Sequence, residues 1–115
     1  MKRPLKHPFT VHKEVAGDID ELEEGPLKKR ALETIRKILT GEIVGKELES
    51  RRATGDLRDC RKVLFDVRSD LPPRFRVVYR EVSSGLEVIA IEVLSVGDRF
   101  ELEAYVKAAT RLGRI

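Results

Sequence analysis

Three stretches in the second half of the chain decide its fold: RKVLFDV (61–67), RFRVVYREV (74–82) and LEVIAIEVLSV (86–96). The first two alternate between apolar and polar residues, which is typical of half-buried β-strands. The third is almost continuously apolar, which favours a central strand covered on both faces. The connections between the three stretches are short, so we expect antiparallel neighbours in one sheet.

Helical patterns lie on both sides of these strands. Apolar residues recur at helical spacing over 13–22 and again over 27–39, and only Gly25-Pro26 separates the two runs. A break this short predicts an antiparallel helical hairpin. Residues 9–12 are β-prone and predict a first strand, and the helical period of 100–112 predicts a C-terminal helix.

The expected architecture is therefore α+β. An N-terminal strand and an antiparallel helical hairpin pack on a small antiparallel sheet, and a helix ends the chain. The length of 115 residues predicts a single domain, 1–115, in which the basic, proline-containing residues 1–8 form a flexible arm. Residues 41–58 have no sustained period and predict a long loop that carries Arg51, Arg52 and Arg58.

Composition excludes several classes of protein. A single cysteine rules out an intrachain disulfide framework and a four-cysteine zinc site. The two histidines both lie near the N-terminus, so we expect no metal site and no cofactor. No apolar run approaches the ~18 residues of a membrane span, and the basic N-terminus is not followed by an apolar segment of the signal-peptide type. We therefore expect a cytoplasmic protein with no membrane partner.

Positive charge is concentrated in the middle of the chain. Residues 51–80 carry nine Lys and Arg against four acids, whereas residues 14–24 carry six acids and no base. If the core-facing residues of the two strands are Val63 and Phe65 in the first and Phe75, Val77 and Tyr79 in the second, strand alternation places Lys62 and the arginines of 74–80 on the opposite face of the sheet. Arginine binds phosphate oxygens in a bidentate manner, so this face suits a phosphodiester backbone. A basic face that only keeps the sheet soluble is the alternative.

The second half of the chain also resembles a known family. The motifs are Leu57 to Cys60, the strand FRVVY (75–79), the apolar strand that runs into VGDR (96–99), and Tyr105 six residues after Arg99. Their order and spacing resemble the RelE branch of the RelE/ParE toxin superfamily over 57–112. Residues 9–40 agree with that family in the order of their elements only.

The resemblance implies a toxin of a type II toxin–antitoxin system, an endoribonuclease that cleaves mRNA in the ribosomal A site without a metal. The reaction is in-line attack by a ribose 2′-hydroxyl on its own phosphate, which needs proton transfer and cations around the transition state. Four positions match the catalytic residues of the family: Lys62, Arg76, Arg99 and Tyr105. Arg61, Arg74 and Arg80 are the predicted RNA-binding residues.

Each matching position would have its own role. Lys62 would stabilise the attacking side or the neighbouring tyrosine, Arg76 would hold the phosphate, and Arg99 would neutralise charge near the leaving group. Tyr105 would stack on a base or help to deprotonate the 2′-hydroxyl. A phenol ionises near pH ~10 in water, so nearby cations would be required for this last role.

The sequence departs from the family at one position and leaves structural alternatives open. The RelE branch often has a second lysine two residues after the first, and here this residue is Leu64, which can neither exchange a proton nor bind phosphate.

Tyr105 could simply pack on the sheet, and Arg99 could simply begin a helix. Cys60 is interpreted as a small buried residue, because no histidine or acid suggests a relay for a nucleophile.

Three functions remain open from the sequence. The first is the ribosome-dependent nuclease, with mRNA, the ribosome and a cognate antitoxin as partners in a hetero-oligomer. An antitoxin segment would wrap the toxin, anchored on the acidic 14–24 segment and the apolar hairpin. The second is a DNA gyrase inhibitor of the ParE type, and the third is a degenerate toxin that acts only as a binding module. The four matching residues favour the first function, and Leu64 weakens it.

Overall fold

The computed structural model describes residues 5–49 and 54–115, which fold into α-helices on both faces of a five-stranded sheet. The α+β prediction is confirmed. In chain order the elements are β1 (Phe9–Val11), α1 (Val15–Asp20), α2 (Gly25–Leu39), β2 (Lys46–Glu47), β3 (Cys60–Phe65), β4 (Phe75–Ser84), β5 (Glu87–Asp98), a 3-10 turn (Phe100–Leu102) and α3 (Glu103–Arg111). In the described part of the chain, no helix has the length and apolar character that crossing a membrane requires.

The strand order across the sheet is β1-β5-β4-β3-β2. β3, β4 and β5 are antiparallel neighbours, as their short connections predict. β1 instead pairs in parallel with the centre of β5, so the sheet is mixed rather than wholly antiparallel. The reason is that α1 and α2, together with the rest of the sheet, lie between β1 and β5 in the chain, which allows β1 to run in either direction.

A bulge explains why β5 is apolar without alternating. Val78 pairs with Ser95 and Tyr79 pairs with Val93, so Leu94 is an extra residue on β5. Leu94 and Ser95 therefore both turn toward α3, where the Ser95 hydroxyl donates to the carbonyl oxygen of Ala104 at 2.7 Å. A bulge of this kind lets neighbouring residues share one face of a strand.

Both faces of the sheet are buried. The hairpin face holds the larger core, in which α1 and α2 pack on side chains such as Val63, Phe65 and Val77. The sequence pattern predicts a basic surface on the opposite face. In the structure, α3 covers the centre of this face, where Ala104, Tyr105, Ala108 and Ala109 pack on Val78 and Leu94. Around the edge of α3, basic residues such as Lys62 and the apolar Leu64 remain accessible on this face.

β1 is short and covers only part of the edge of β5. Beyond it, the ion pair of Asp18 and Arg111 bonds to the backbone groups along this edge. The carboxylate of Asp18, which is 4% exposed, accepts the backbone N–H of Val96 at 3.0 Å. Arg111 donates to the carbonyl of Leu94 at 2.9 Å and to Asp18 at 2.7 Å. Unpaired backbone groups at a buried edge are costly, so these two side chains replace the missing strand. They also join α1, on one face, to α3 on the other.

The end of β3 and the presence of β2 differ from the sequence prediction, each for a local reason. β3 ends at Phe65 rather than Val67, because the Asp66 carboxylate accepts the N–H of Val67 at 2.7 Å and that of Arg74 at 3.1 Å. These bonds close the turn into β4. β2 lies inside the predicted loop 41–58 and pairs with Arg61 and Lys62. A two-residue strand leaves no alternation that a sequence pattern could detect.

The predicted N-terminal arm is partly held against the fold. The N–H of Lys6 donates to the carbonyl of Leu39 at 3.0 Å, and the carbonyl of Pro8 accepts the N–H of Ile91 at 3.0 Å. The first four residues of the predicted arm, and Arg51 and Arg52 of the predicted loop, lie outside the described residues.

Candidate active site

Arg76 and Tyr105 meet on the α3 face of the sheet. Arg76 extends from β4, and its Nε donates a hydrogen bond to the phenol oxygen of Tyr105 at 3.0 Å. Its Nη1 donates to the carbonyls of Pro73 at 2.9 Å and Phe75 at 3.1 Å, which fixes the guanidinium in place. No described group bonds to Nη2. The arginine is therefore positioned by the protein and still has a donor available for a ligand.

Lys62 lies on the other side of the same tyrosine. Its Nζ is 5.8 Å from the centre of the Tyr105 ring, which is within the range of a cation–π contact. A cavity of about 170 Å³ opens beside these two residues, and the segments around Lys46–Glu49 and Thr54–Leu57 form its other walls. Tyr105 is 8% exposed and belongs to the α3 core, so it both packs on the sheet and borders the cavity.

Gly97 brings α3 close enough for this contact. Gly97 pairs with Arg76 across β4 and β5. A Cβ at Gly97 would lie 3.1 Å from the backbone of Ala104, at the start of α3. Since any larger residue would push the helix away from the sheet, Gly97 sets the distance between Tyr105 and Arg76.

Arg99 lies at the turn between β5 and α3. Its backbone N–H donates to the carbonyl of Arg74 at 2.8 Å, which places it beside the start of β4. Its side chain is exposed and makes no hydrogen bond or ion pair with any described residue. The turn thus presents a cation at the same end of the sheet as Arg76.

Within the second half of the chain, from Thr54 onward, the distribution of ion pairs separates the three predicted catalytic cations from the other Lys and Arg residues. From Thr54 to the C-terminus, eight Lys and Arg residues form an ion pair with a carboxylate: Arg58, Arg61, Arg68, Arg74, Arg80, Lys107, Arg111 and Arg114. Lys62, Arg76 and Arg99 form none with any described residue. A cation without a carboxylate keeps its charge available for an anionic ligand.

The three predicted RNA-binding arginines are held differently. Arg61 lies on the hairpin side of β3 and donates to Glu81 at 2.7 Å and to the carbonyl of Gly45 at 2.8 Å. Arg74 forms a bidentate pair with Asp66. Arg80 shares the strand and face of Arg76 but donates to Glu92 at 3.1 Å. Contact of these three residues with RNA stays a prediction.

The structure adds a carboxylate that sequence reasoning missed. Glu47 and Glu49 both line the cavity beside Lys62 and Tyr105. Glu47 pairs with Arg61 at 3.4 Å, whereas Glu49 is exposed and makes no ion pair with a described residue. Glu49 lies in a segment without a motif, so only the pairing of β2 with β3 brings it to the site. A carboxylate that lines the same cavity as the Tyr105 phenol and Lys62 can accept a proton from a ligand bound there.

Leu64 occupies the position directly across the sheet from Arg76. Its side chain is 42% exposed, so the site has an accessible apolar surface where the resemblance leads one to expect a lysine.

Cys60 and Tyr79 are structural, as the sequence indicates. Burial raises the pKa of the Cys60 thiol to about 12, and the Tyr79 hydroxyl accepts the N–H of Gly45 at 2.8 Å. In the described segments, no three His, Cys, Asp or Glu residues are grouped as a metal site requires.

Comparison with known proteins identifies the fold. No protein-family model and no curated protein matches the chain. Among solved structures, the chain is similar to a double arginine-to-alanine mutant of the E. coli toxin RelE in the free state, with a TM-score of 0.59 and 18% sequence identity. The alignment covers 92% of this chain and 97% of the other. At this level of identity the likeness establishes the fold alone: the chain has the RelE-like toxin fold.

Proposed function

We propose that this protein is the toxin of a type II toxin–antitoxin pair and cleaves mRNA on the ribosome. The observation that carries the proposal is the convergence of Lys62, Arg76 and Tyr105 on one side of the sheet, next to a turn that presents Arg99. The three cations have no carboxylate partner in the described part of the chain, which suits the binding of a phosphate. The likeness to the toxin RelE supports the class of activity through the fold.

The proposed reaction is attack by a ribose 2′-hydroxyl on the adjacent phosphate. The 2′ oxygen bonds to phosphorus, the bond from phosphorus to the 5′ oxygen of the next nucleotide breaks, and Tyr105 protonates that leaving oxygen. Arg76 binds the phosphate through its free Nη2 and stabilises the charge that develops on the oxygens in the transition state. Tyr105 already accepts a hydrogen bond from Arg76, so its own proton is free to be donated to a substrate oxygen. Glu49 accepts the proton of the 2′-hydroxyl, and Arg99 neutralises charge on the leaving oxygen.

The proposed partners are a cognate antitoxin, the ribosome and its mRNA, in the cytoplasm. The antitoxin would cover the carboxylate-free cations. Part of the acidic 14–24 segment is unavailable for this contact, because Glu14 and Asp18 pair with Arg111 and Glu21 pairs with Lys107. The remaining acids of this segment, Asp20, Glu23 and Glu24, stay accessible to a basic antitoxin segment.

Inducible expression without the antitoxin tests the function. We expect growth arrest together with new 5′ ends inside translated messages, mapped by primer extension. The same cuts should appear in vitro when the purified protein is added to ribosomes that carry a defined message. DNA breaks with intact mRNA would instead indicate gyrase inhibition, and unimpaired growth at high expression would indicate a binding module.

Replacing Tyr105 with phenylalanine is expected to slow cleavage about 10- to 100-fold, because the proton donor is lost. The ring that packs on Val78 and Leu94 is kept, so the midpoint of thermal unfolding should change little. Cleavage is measured on ribosomes under single-turnover conditions. A variant as fast as the parent would mean that Tyr105 is a packing residue only.

Replacing Glu49 with glutamine is expected to slow cleavage about 100-fold, because an amide cannot accept the proton. Glu47→Gln is the matched control, since Glu47 lines the same cavity but is paired with Arg61. Equal rates for Glu49→Gln and Glu47→Gln would rule out Glu49 as the base.

A further inference from the structure

Phe100 is an exposed aromatic ring that makes no ring-stacking or cation–π contact with a described residue. It is 72% exposed, the largest fraction for any of the six aromatic residues in the chain. Burying a phenylalanine stabilises a protein by roughly 1.5–3 kcal/mol relative to leaving it exposed. The fold forgoes this gain at Phe100, so the face of the ring is accessible to a ligand.

The backbone around Phe100 is held firmly. The N–H of Phe100 donates to Oδ1 of Asp98 at 2.8 Å, and the N–H of Leu102 donates to the carbonyl of Arg99 at 3.1 Å. Leu102 has a φ of 59°, in the left-handed region that leucine rarely adopts. A constrained turn of this kind presents its side chains in a fixed direction, which lowers the entropic cost of binding.

Both ends of the turn, residues 98–103, adjoin residues that contact the candidate active site. It leaves β5 after Gly97, which pairs with Arg76, and it returns to Ala104, which packs on Gly97 and precedes Tyr105. Phe100 therefore lies in the segment that joins Gly97, the pairing partner of Arg76, to Ala104, the residue before Tyr105. It also directly follows Arg99, a cation with no carboxylate partner.

Two of the acids near this turn are already engaged. Asp98 accepts the N–H of Phe100, and Glu103 pairs with Lys107 at 2.9 Å. The turn therefore combines an available guanidinium with an available aromatic face. Single-stranded RNA is recognised in this way, by a cation on the phosphate and an aromatic ring on the base.

We propose that Phe100 is a base-stacking residue, which holds an unpaired nucleobase next to the phosphate bound by Arg76 and Arg99. The inference rests on the proposed function, because it assigns single-stranded RNA as the ligand of the site. It adds a binding residue that takes no part in proton transfer.

The test measures binding of a fluorescein-labelled single-stranded RNA whose 2′-hydroxyls are methylated, so that it binds without being cut. Phe100→Ala and Phe100→Leu should both weaken binding roughly 10- to 100-fold, whereas Phe100→Trp should retain it, because stacking needs a π-face rather than apolar volume. Leu86→Ala is the matched control. Leu86 is fully exposed at the β4–β5 turn, roughly 30 Å from Gly97 at the far end of the hairpin.

A fluorescence measurement gives a second readout. The chain has no tryptophan, so Phe100→Trp and Leu86→Trp each introduce a single probe. RNA should quench the probe at position 100 and leave that at position 86 unchanged. Binding that is equal in Phe100→Ala and the parent, or full binding by Phe100→Leu, or an unquenched probe at position 100 with RNA bound, would overturn the inference.

The experiments distinguish a failure of the stacking proposal from a failure of the proposed nuclease function. Binding that depends on Phe100, without cleavage on ribosomes, would reject the nuclease and leave the stacking residue in place. Cleavage that is insensitive to Phe100, with binding also insensitive, would leave the nuclease and reject the stacking residue. Failure of the parent protein to bind the RNA would reject the inference.

Discussion

Arg76→Ala is expected to slow mRNA cleavage on ribosomes about 1,000-fold, the upper end of what loss of one preorganised charge-stabilising donor costs. The variant loses the guanidinium that is proposed to bind the phosphate, and with it the hydrogen bond that orients Tyr105. Growth inhibition on induction should disappear accordingly. The measurement is the single-turnover rate, with the accumulation of the protein in the cell checked at the same time.

Two further variants separate chemistry from charge and folding. Arg76→Lys keeps the charge but cannot form the forked contact with a phosphate, so its rate should lie between those of the parent and Arg76→Ala. Arg68→Ala removes an exposed arginine that is paired with Asp70, and it should cleave like the parent. Toxicity of Arg76→Ala equal to that of the parent at equal expression would refute the site assignment.

Asp18→Ala is expected to reduce the free energy of unfolding by about 3–5 kcal/mol, the cost of leaving one member of a buried ion pair unpaired. Arg111, whose side chain is 9% exposed, would lose its buried carboxylate partner and keep only that of the exposed Glu14, and the N–H of Val96 would lose its acceptor. Urea unfolding measures the change. Asp20→Ala is the matched control, because Asp20 is exposed on the same helix, and its unfolding should match that of the parent.

The effect of Asp18 should also depend on pH. Burial raises the pKa of Asp18, but hydrogen bonds from Arg111 and Val96 and the charges of Lys107 and Arg111 outweigh it, so the pKa lies below its usual range. A lowered folded-state pKa gives stability that is present above the unfolded value, near ~4, and is lost as the pH falls through the folded value. The difference between the parent and Asp18→Ala should therefore shrink below pH ~4. A difference that stays constant from pH 7 to pH 2 would show that the charge of Asp18 is not what stabilises the edge of β5.

Side-chain alternation in the sequence was sufficient to predict which residues of β3 and β4 face the helical hairpin. Val63, Phe65 and Val77 face the hairpin as their period of two requires, and the same parity places Lys62 and Arg76 on the other side. Side-chain alternation is a local property of the extended backbone, so it can be seen without any knowledge of neighbours. Tyr105 and Arg99 were identified by motif, because neither their burial nor their partners follow from a local pattern.

By itself, the sequence determined the helical hairpin, the three antiparallel strands and the group of cations on one face, since each follows from periodicity within a single segment. Only the tertiary structure decided that α3 covers the second face, that β1 runs parallel to β5, that Glu49 borders the site and that Asp18 turns inward to Arg111, 93 positions away. These features depend on pairs of residues that are distant in the chain. Their energy comes from mutual desolvation and hydrogen bonding, which no local pattern encodes.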